Sequence, residues 1–382
     1  MEAKRPVVCI VTTHWGAGER ESTEVVRLLA GAVASAASVQ VLFLDSAALE
    51  PTTSLDSVFT VHHLPLVGAR ELTGTLLHGA LRAVGSDATP PSLLEVSRGL
   101  TGTVHGVAEL LTEIAPDSVV IAGLPLPLGT DDDVATTDAR IVIWPLLADP
   151  ALVGDPGLAA LLESADAIGS LHPGEQAALT AALPDMASRI YPLDVALTLN
   201  RSATEQGLFG VTWFGEYVLL LRRFPASAPR FDRAITHELL RAVLGNIAIA
   251  EVDGARWRVT DFINTASLPV NPTRVNLWRL MAHAKFTIDL RPPGPFGREA
   301  LESMLFSSPP IVPEDSAAHA HVEAANGGLW YRTPGEVLDL ASTLIDDDAL
   351  LSRLRSDGLR YSVAHHEDMA AFVARTKALV LG

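Results

Sequence analysis

The apolar, β-branched run Val7–Val11 is followed by a glycine-bearing turn (Trp15, Gly16, Ala17, Gly18) and by Val25, Val26, Leu28, Leu29, Ala32 and Val33 at helical spacing. A strand with no polar alternation is buried on both faces, and a helix with one apolar stripe covers one of those faces. The unit then recurs. Val39–Leu44 reads as a second buried strand closed by Asp45, followed by strands at Ser118–Ala122, Ile141–Trp144 and Ala167–Gly169 and helices at Val104–Ile114 and Gly174–Ala182. The pattern restarts with strands at Tyr217–Leu221, Ile247–Val252, Trp257–Val259, Phe286–Leu290 and Pro310–Val312. Helices are predicted at Ile235–Leu244, Val275–Ala282, Ala300–Phe306, Gly335–Ile345, Asp348–Arg355 and Asp368–Leu379, and a hairpin at Gly327-Gly328-Leu329. Alternating strands and helices give an α/β fold with parallel sheets covered on both faces.

A chain of 382 residues exceeds one ordinary core, so the restart implies two tandem doubly wound, Rossmann-like domains facing a cleft. The polar, irregular stretch Pro192–Gly210 reads as the crossing between them. The domains are expected at residues 1–195 and 196–362, with the helix in 363–382 returning to the first. Lys and Arg number 28 against 45 Asp and Glu, and no basic face with interleaved aromatics exists, which excludes nucleic acid as the main partner. The single cysteine, Cys9, lies mid-strand and reads as a buried hydrophobe, which excludes internal disulfides and thiolate metal clusters. No run approaches the length that spans a bilayer and no signal peptide is evident, so a cytoplasmic protein is expected.

The second half carries the most specific pattern. Leu290-Arg291-Pro292-Pro293-Gly294-Pro295-Phe296-Gly297-Arg298-Glu299-Ala300-Leu301-Glu302-Ser303-Met304 runs from a strand through a proline loop into a helix. Pro309-Pro310, Gly327-Gly328-Leu329, a Pro334-Gly335-Glu336 helix start and Asp346-Asp347-Asp348 follow in order. From Phe286 to about Arg360 this succession resembles the C-terminal domain of retaining nucleotide-sugar glycosyltransferases of the family-4 type, which have the GT-B fold. The resemblance implies metal-independent transfer of a hexosyl group from a nucleotide-diphosphate sugar to an unidentified acceptor, with no cofactor. It implies donor contacts at Gly16 and Gly18 in the first loop and at Gly294, Phe296, Gly297, Arg298 and Glu302, with Glu302 on the ribose. Independently of the family, a small-residue loop feeding a helix N-terminus offers amide N–H groups and a positive dipole end to a pyrophosphate. The alternative for Glu302 is a first-turn glutamate favoured by the dipole alone.

The departures from the family pattern are specific. The first glutamate of the family pair falls on Gly294, where the flanking prolines leave glycine to make the turn with a positive φ. The phosphate-neutralising Arg and Lys map onto Val218-Leu219-Leu220-Leu221-Arg222-Arg223-Phe224, with Arg223 at the Arg position, no lysine following and Arg230 as substitute. Both arginines equally suit a surface at a strand end and a helix start. The family's acceptor-side His is missing after Ile141–Trp144, and His14 is the imidazole nearest that role, though a solvent-exposed loop histidine is the favoured reading. These losses open a second reading, a catalytically impaired nucleotide-binding or scaffold protein on the GT-B frame. A third, a dinucleotide-dependent oxidoreductase, rests only on Gly16-x-Gly18 after a strand and Asp45 after the next, an incomplete fingerprint. His319-x-His321, His62-His63 and His365-His366 read as loop pairs and not as metal ligands, and Asp131-Asp132-Asp133 as a solvated loop.

Overall fold

The computed structural model describes residues 5–13, 15, 21–45, 52–56, 58–65, 107, 110–123, 139–147, 153, 156–197, 216–222, 237–253, 256–260, 265–267, 274–291 and 294–382. The chain divides into two compact units, one of Met1–Leu193 with Ala370–Gly382, the other of Asp194–Met369.

In the first unit β1 (Val7–Thr12), α1 (Glu21–Ala34), β2 (Ser38–Asp45), β3 (Thr52–Asp56), β4 (Phe59–Pro65), β5 (Ser118–Ala122) and β6 (Arg140–Trp144) are followed by α2 (Pro156–Glu163), β7 (Ala167–Ser170), α3 (Pro173–Ala182) and β8 (Ile190–Pro192). The strands form one sheet in the order β3-β4-β2-β1-β5-β6-β7-β8, parallel except for the antiparallel pair β3–β4. Order reverses between β1 and β5, because the chain builds outward from β1 through β2 and then crosses back. The central strands are continuous in Val and Ile, and Cys9 among them is fully buried with its thiol pKa raised by desolvation. The last helix, α10 (Met369–Leu381), packs on this unit. Ser118 Oγ donates to Val380 O (2.9 Å), Arg140 Nε to Leu379 O (3.2 Å) and Arg375 Nε to Leu193 O (3.1 Å).

The second unit runs β9 (Tyr217–Arg222), α4 (His237–Leu244), β10 (Ala248–Asp253), β11 (Arg256–Thr260), β12 (Thr265–Ser267), α5 (Arg274–His283), β13 (Ala284–Asp289) and α6 (Arg298–Leu305). It continues with β14 (Pro310–Pro313), α7 (Ala317–Ala325), β15 (Leu329–Tyr331), α8 (Pro334–Asp346) and α9 (Asp348–His366). Its sheet order is β12-β11-β10-β9-β13-β14-β15, parallel from β10 to β15. Side chains alternate between two covered faces. Val218, Leu220, Phe286 and Ile288 pack with Leu240 of α4, Val337 and Leu344 of α8 and Leu351 of α9. Leu219, Leu221 and Ala250 pack with Leu277, Leu280 and Met281 of α5. Burying each large side chain contributes about 1.5–3 kcal/mol, so both stripes are needed to hold the sheet.

Several expectations are corrected. Gly327-Gly328 leads from α7 into β15, which is parallel to β14, so no hairpin forms there. The glycines answer close approach instead: a Cβ at Gly327 would sit 2.4 Å from Gly358 Cα, and one at Gly328 2.4 Å from Pro310 O. None of the histidine pairs lies in a loop. His62 and His63 are in β4, His319 and His321 in α7, and His365 and His366 close α9. Strands β3, β4, β8 and β12 are unpredicted; of these β3 and β12 are short and polar, Thr-Thr-Ser-Leu-Asp and Thr-Ala-Ser, and carry too little apolar pattern to register as strands.

Candidate functional site

In the second sheet strand order reverses between β9 and β13, and ligands of open α/β sheets bind beyond the carboxyl ends of strands at such a point. The chain leaves β13 at Asp289, whose Oδ1 accepts from Arg291 N (3.0 Å) and Nε (2.9 Å) and so turns the loop. Phe296 then plugs the core with no exposure. Gly297 caps α6 at φ +70°, ψ +34°, and no side-chain hydrogen bond closes that end. The starts of α3, α7, α8 and α9 are closed by His172, Ser316, Thr333 and Asp347. A left-handed residue followed by helical ones makes successive N–H groups converge into an anion-binding nest, here at the positive end of the helix dipole. Hydroxyls pin α6 to β13: Ser303 Oγ donates to Thr287 Oγ1 (2.6 Å), which lies 2.9 Å from Ser308 Oγ.

Beside this nest lies a compensated ion network that the sequence did not show. Glu302 is fully buried, and its Oε1 accepts from Arg274 Nε (3.0 Å) and Arg298 Nε (2.9 Å), while Arg274 Nη2 stands 2.8 Å from Oε2. Arg274 Nη1 also donates to Glu299 Oε1 (2.9 Å), which Arg291 Nη1 approaches at 2.8 Å, and Arg291 in turn chelates Asp289. Burial opposes ionisation of Glu299, but the guanidiniums of Arg291 and Arg274 outweigh it and hold its pKa well below the usual carboxylate range. Every carboxylate here has its guanidinium. A ribose reaching Glu302 would compete with two arginines for the same oxygens.

Among the expected site residues, Gly294 is half-buried, and Phe296, Gly297, Arg298 and Glu302 come together around the head of α6. Pro292 and Pro293, and with them the turn expected at Gly294, lie outside the described residues, as do His14, Gly16, Gly18, Arg223, Arg230 and Asp131-Asp132-Asp133. The strands before the first loop and before Arg223 end at Thr12 and Arg222, where Arg222 Nε stands 3.6 Å from Glu251 Oε1. Among the described residues no group of His, Cys, Asp and Glu is placed to hold a metal ion, and no helix is long and apolar enough to cross a membrane.

The first unit holds a buried carboxyl that sequence reasoning missed. Glu175, in the first turn of α3, accepts from Leu147 N on Oε1 (3.0 Å) and from Leu171 N on Oε2 (2.7 Å), tying the exits of β6 and β7 together. His172 Nδ1 accepts from Glu175 N (3.2 Å) and so caps α3, while the Glu175 carboxyl reaches one residue beyond that cap to Leu171 N; the sequence signal is the glutamate three residues after the capping position. Burial pushes the Glu175 carboxyl up to about 7 against the two backbone donors, and burial pushes His172 down to about 4, so that ring is neutral at pH 7. A carboxyl whose folded pKa exceeds its unfolded value binds more protons when folded, so stability falls as pH rises between the two values. The Glu175 contribution is expected to decline by up to about 3 kcal/mol from about pH 4.5 to about pH 7 and to level off above. Urea midpoints at pH 5 and pH 8 should differ more in the natural chain than in Glu175→Gln; equal differences would refute it.

No family model and no curated sequence matches this chain. Solved structures do. Sucrose-phosphate synthase from Thermosynechococcus elongatus aligns over 97% of this chain and 97% of its own at TM-score 0.62 and 15% identity. The α,α-trehalose-phosphate synthase (UDP-forming) from Burkholderia vietnamiensis aligns over 99% and 98% at TM-score 0.61 and 12% identity. The chain has the GT-B fold. An E. coli trehalose-6-phosphate protein bound with UDP-2-fluoro glucose aligns over 96% and 97% at TM-score 0.58 and 12% identity. At such identities the likeness extends to the fold alone.

Proposed function

We propose that this protein is a glycosyltransferase that moves a hexosyl group from a nucleotide-diphosphate sugar to an acceptor, with retention and without a metal ion. The observation that carries this reading is the side-chain-free cap at Gly297, which sets converging amides at the head of α6 beyond β13. That arrangement suits a diphosphate, and the GT-B fold supports it by similarity to a protein that binds UDP-2-fluoro glucose. In this reading the nest and dipole bind the diphosphate as it departs with its developing charge, and Arg223 and Arg230 supply the neutralising guanidiniums. No protein nucleophile is assigned, so rate depends on positioning of the donor and on stabilising the leaving group. The acceptor is unassigned.

The compensated network favours a second reading. With Gly294 in place of a carboxylate, and with Glu302 engaged by Arg274 and Arg298, a nucleotide-binding protein that has lost turnover also fits. Incubation with UDP-, GDP- and ADP-glucose, followed by measurement of free nucleoside diphosphate, separates the two. Release from one donor supports transfer; binding of a donor without release supports the second reading.

A further inference from the structure

Two histidines form the centre of a buried aromatic cluster. His321 on α7 and His366 at the end of α9 have no solvent exposure, with ring centroids 5.1 Å apart. The Phe296 ring stands edge-on to both, at 5.8 Å and 5.9 Å. His321 Nε2 lies 3.0 Å from Phe296 O, and its Nδ1 lies 2.9 Å from Tyr361 Oη. A backbone carbonyl only accepts, so Nε2 carries the hydrogen. In the neutral ring Nδ1 is then the acceptor and the Tyr361 hydroxyl donates to it. Desolvation raises the Tyr361 pKa, with Asp194 adding to the effect, so that hydroxyl keeps its proton. His366 is fixed separately, its Nδ1 donating to Val195 O (3.0 Å).

The same helix touches the next residue of the loop. A Cβ at Gly297 would meet Ala318 N at 2.6 Å and Ala318 Cα at 2.7 Å, so α7 seats both Phe296 O and the Gly297 backbone. In a trans peptide the carbonyl and the following N–H point in opposite directions in one plane. Holding Phe296 O on His321 therefore turns the Gly297 N–H away from that ring, and this amide opens the nest at the head of α6.

We propose that His321 is a positioning residue for the diphosphate: by donating from Nε2 to Phe296 O it fixes the peptide whose N–H begins the anion-binding nest. The proposal rests on the nucleotide-diphosphate reading of this site. Tyr361 serves it by fixing the His321 tautomer. The test is calorimetric titration of UDP, GDP and ADP into the full chain and into His321→Gln, His321→Asn and Tyr361→Phe, with thermal midpoints measured in parallel. A glutamine amide reaches the Nε2 position and keeps the donor, whereas the shorter asparagine reaches only the Nδ1 position. The nucleotide bound by the natural chain should bind His321→Gln within about threefold and His321→Asn at least tenfold more weakly, at similar midpoints, with Tyr361→Phe between them. Equal affinity in both His321 variants, or a common loss that follows their midpoints, would make His321 a core residue only. Should the His321 variants not fold, unchanged affinity in a folded Tyr361→Phe would overturn the relay, and a tautomer-dependent loss there would support it. A natural chain that binds none of the three nucleotides would defeat the underlying reading, an outcome distinct from variants that match a binding natural chain.

Discussion

Glu302→Ala is expected to destabilise the second unit by about 3–5 kcal/mol, because removing one member of a buried ion network leaves its partners uncompensated. Glu302 is the shared acceptor of Arg274 and Arg298, and it is the most deeply buried member of the network. Arg298 is almost fully enclosed as well, so its guanidinium has little recourse to water once the carboxylate is gone. The chain would keep Glu299 as a partner for Arg274, which limits the loss on that side. The expected fall in the thermal midpoint is about 6–20 °C at 2–4 °C per kcal/mol for a unit of this size. Glu302→Gln should lose less, since it retains the volume and one acceptor. A midpoint for Glu302→Ala within a degree or two of the natural chain would mean that the network is not formed in solution and would return Glu302 to the ribose.

Gly297→Ala is the second large effect. The backbone at +70° already disfavours any side chain, and the added Cβ would press on the backbone of Ala318, which cannot rotate aside. A loss of at least about 2 kcal/mol is expected, combining left-handed strain with the cost of moving α7 away from the loop. Nucleotide binding should fall further than stability alone explains, because the residue that aims the nest would be displaced. Differential scanning calorimetry paired with a nucleotide titration reads both quantities. An alanine variant of natural stability would show that the loop has another low-energy conformation.

Much of the frame was legible because buried parallel strands leave a mark on the sequence. Val119–Ala122 and Tyr217–Leu221 are continuous apolar runs, and a run of that kind has few places to go other than the middle of a covered sheet. Edge strands leave no such mark: Thr52–Asp56 is mostly exposed and satisfied by pairing with one neighbour. The loop into α6 was legible for a different reason, since Gly297 ahead of a helix is a local signature of backbone geometry. Its surroundings were not. Arg274 reaches Glu302 from α5, which precedes β13 in the chain while α6 follows it, and nothing in the spacing of the two residues announces the pair. His321 was misread because Ala317–Ala325 is rich in alanine and short of large apolar residues, so the helix that buries this imidazole showed no clear stripe. Glu175 had a local signal, its place three residues after the His172 cap, but its acceptor bond to Leu147 depends on the neighbouring strand.

Whether the head of α6 receives the diphosphate of a nucleotide is tested by direct titration of UDP, GDP and ADP into the natural chain, with and without a chelator. Saturable one-to-one binding of at least one of the three is expected, unchanged by the chelator and weakened by Gly297→Ala. Binding that disappears with the chelator, binding untouched by Gly297→Ala, or no binding by any of the three would contradict it.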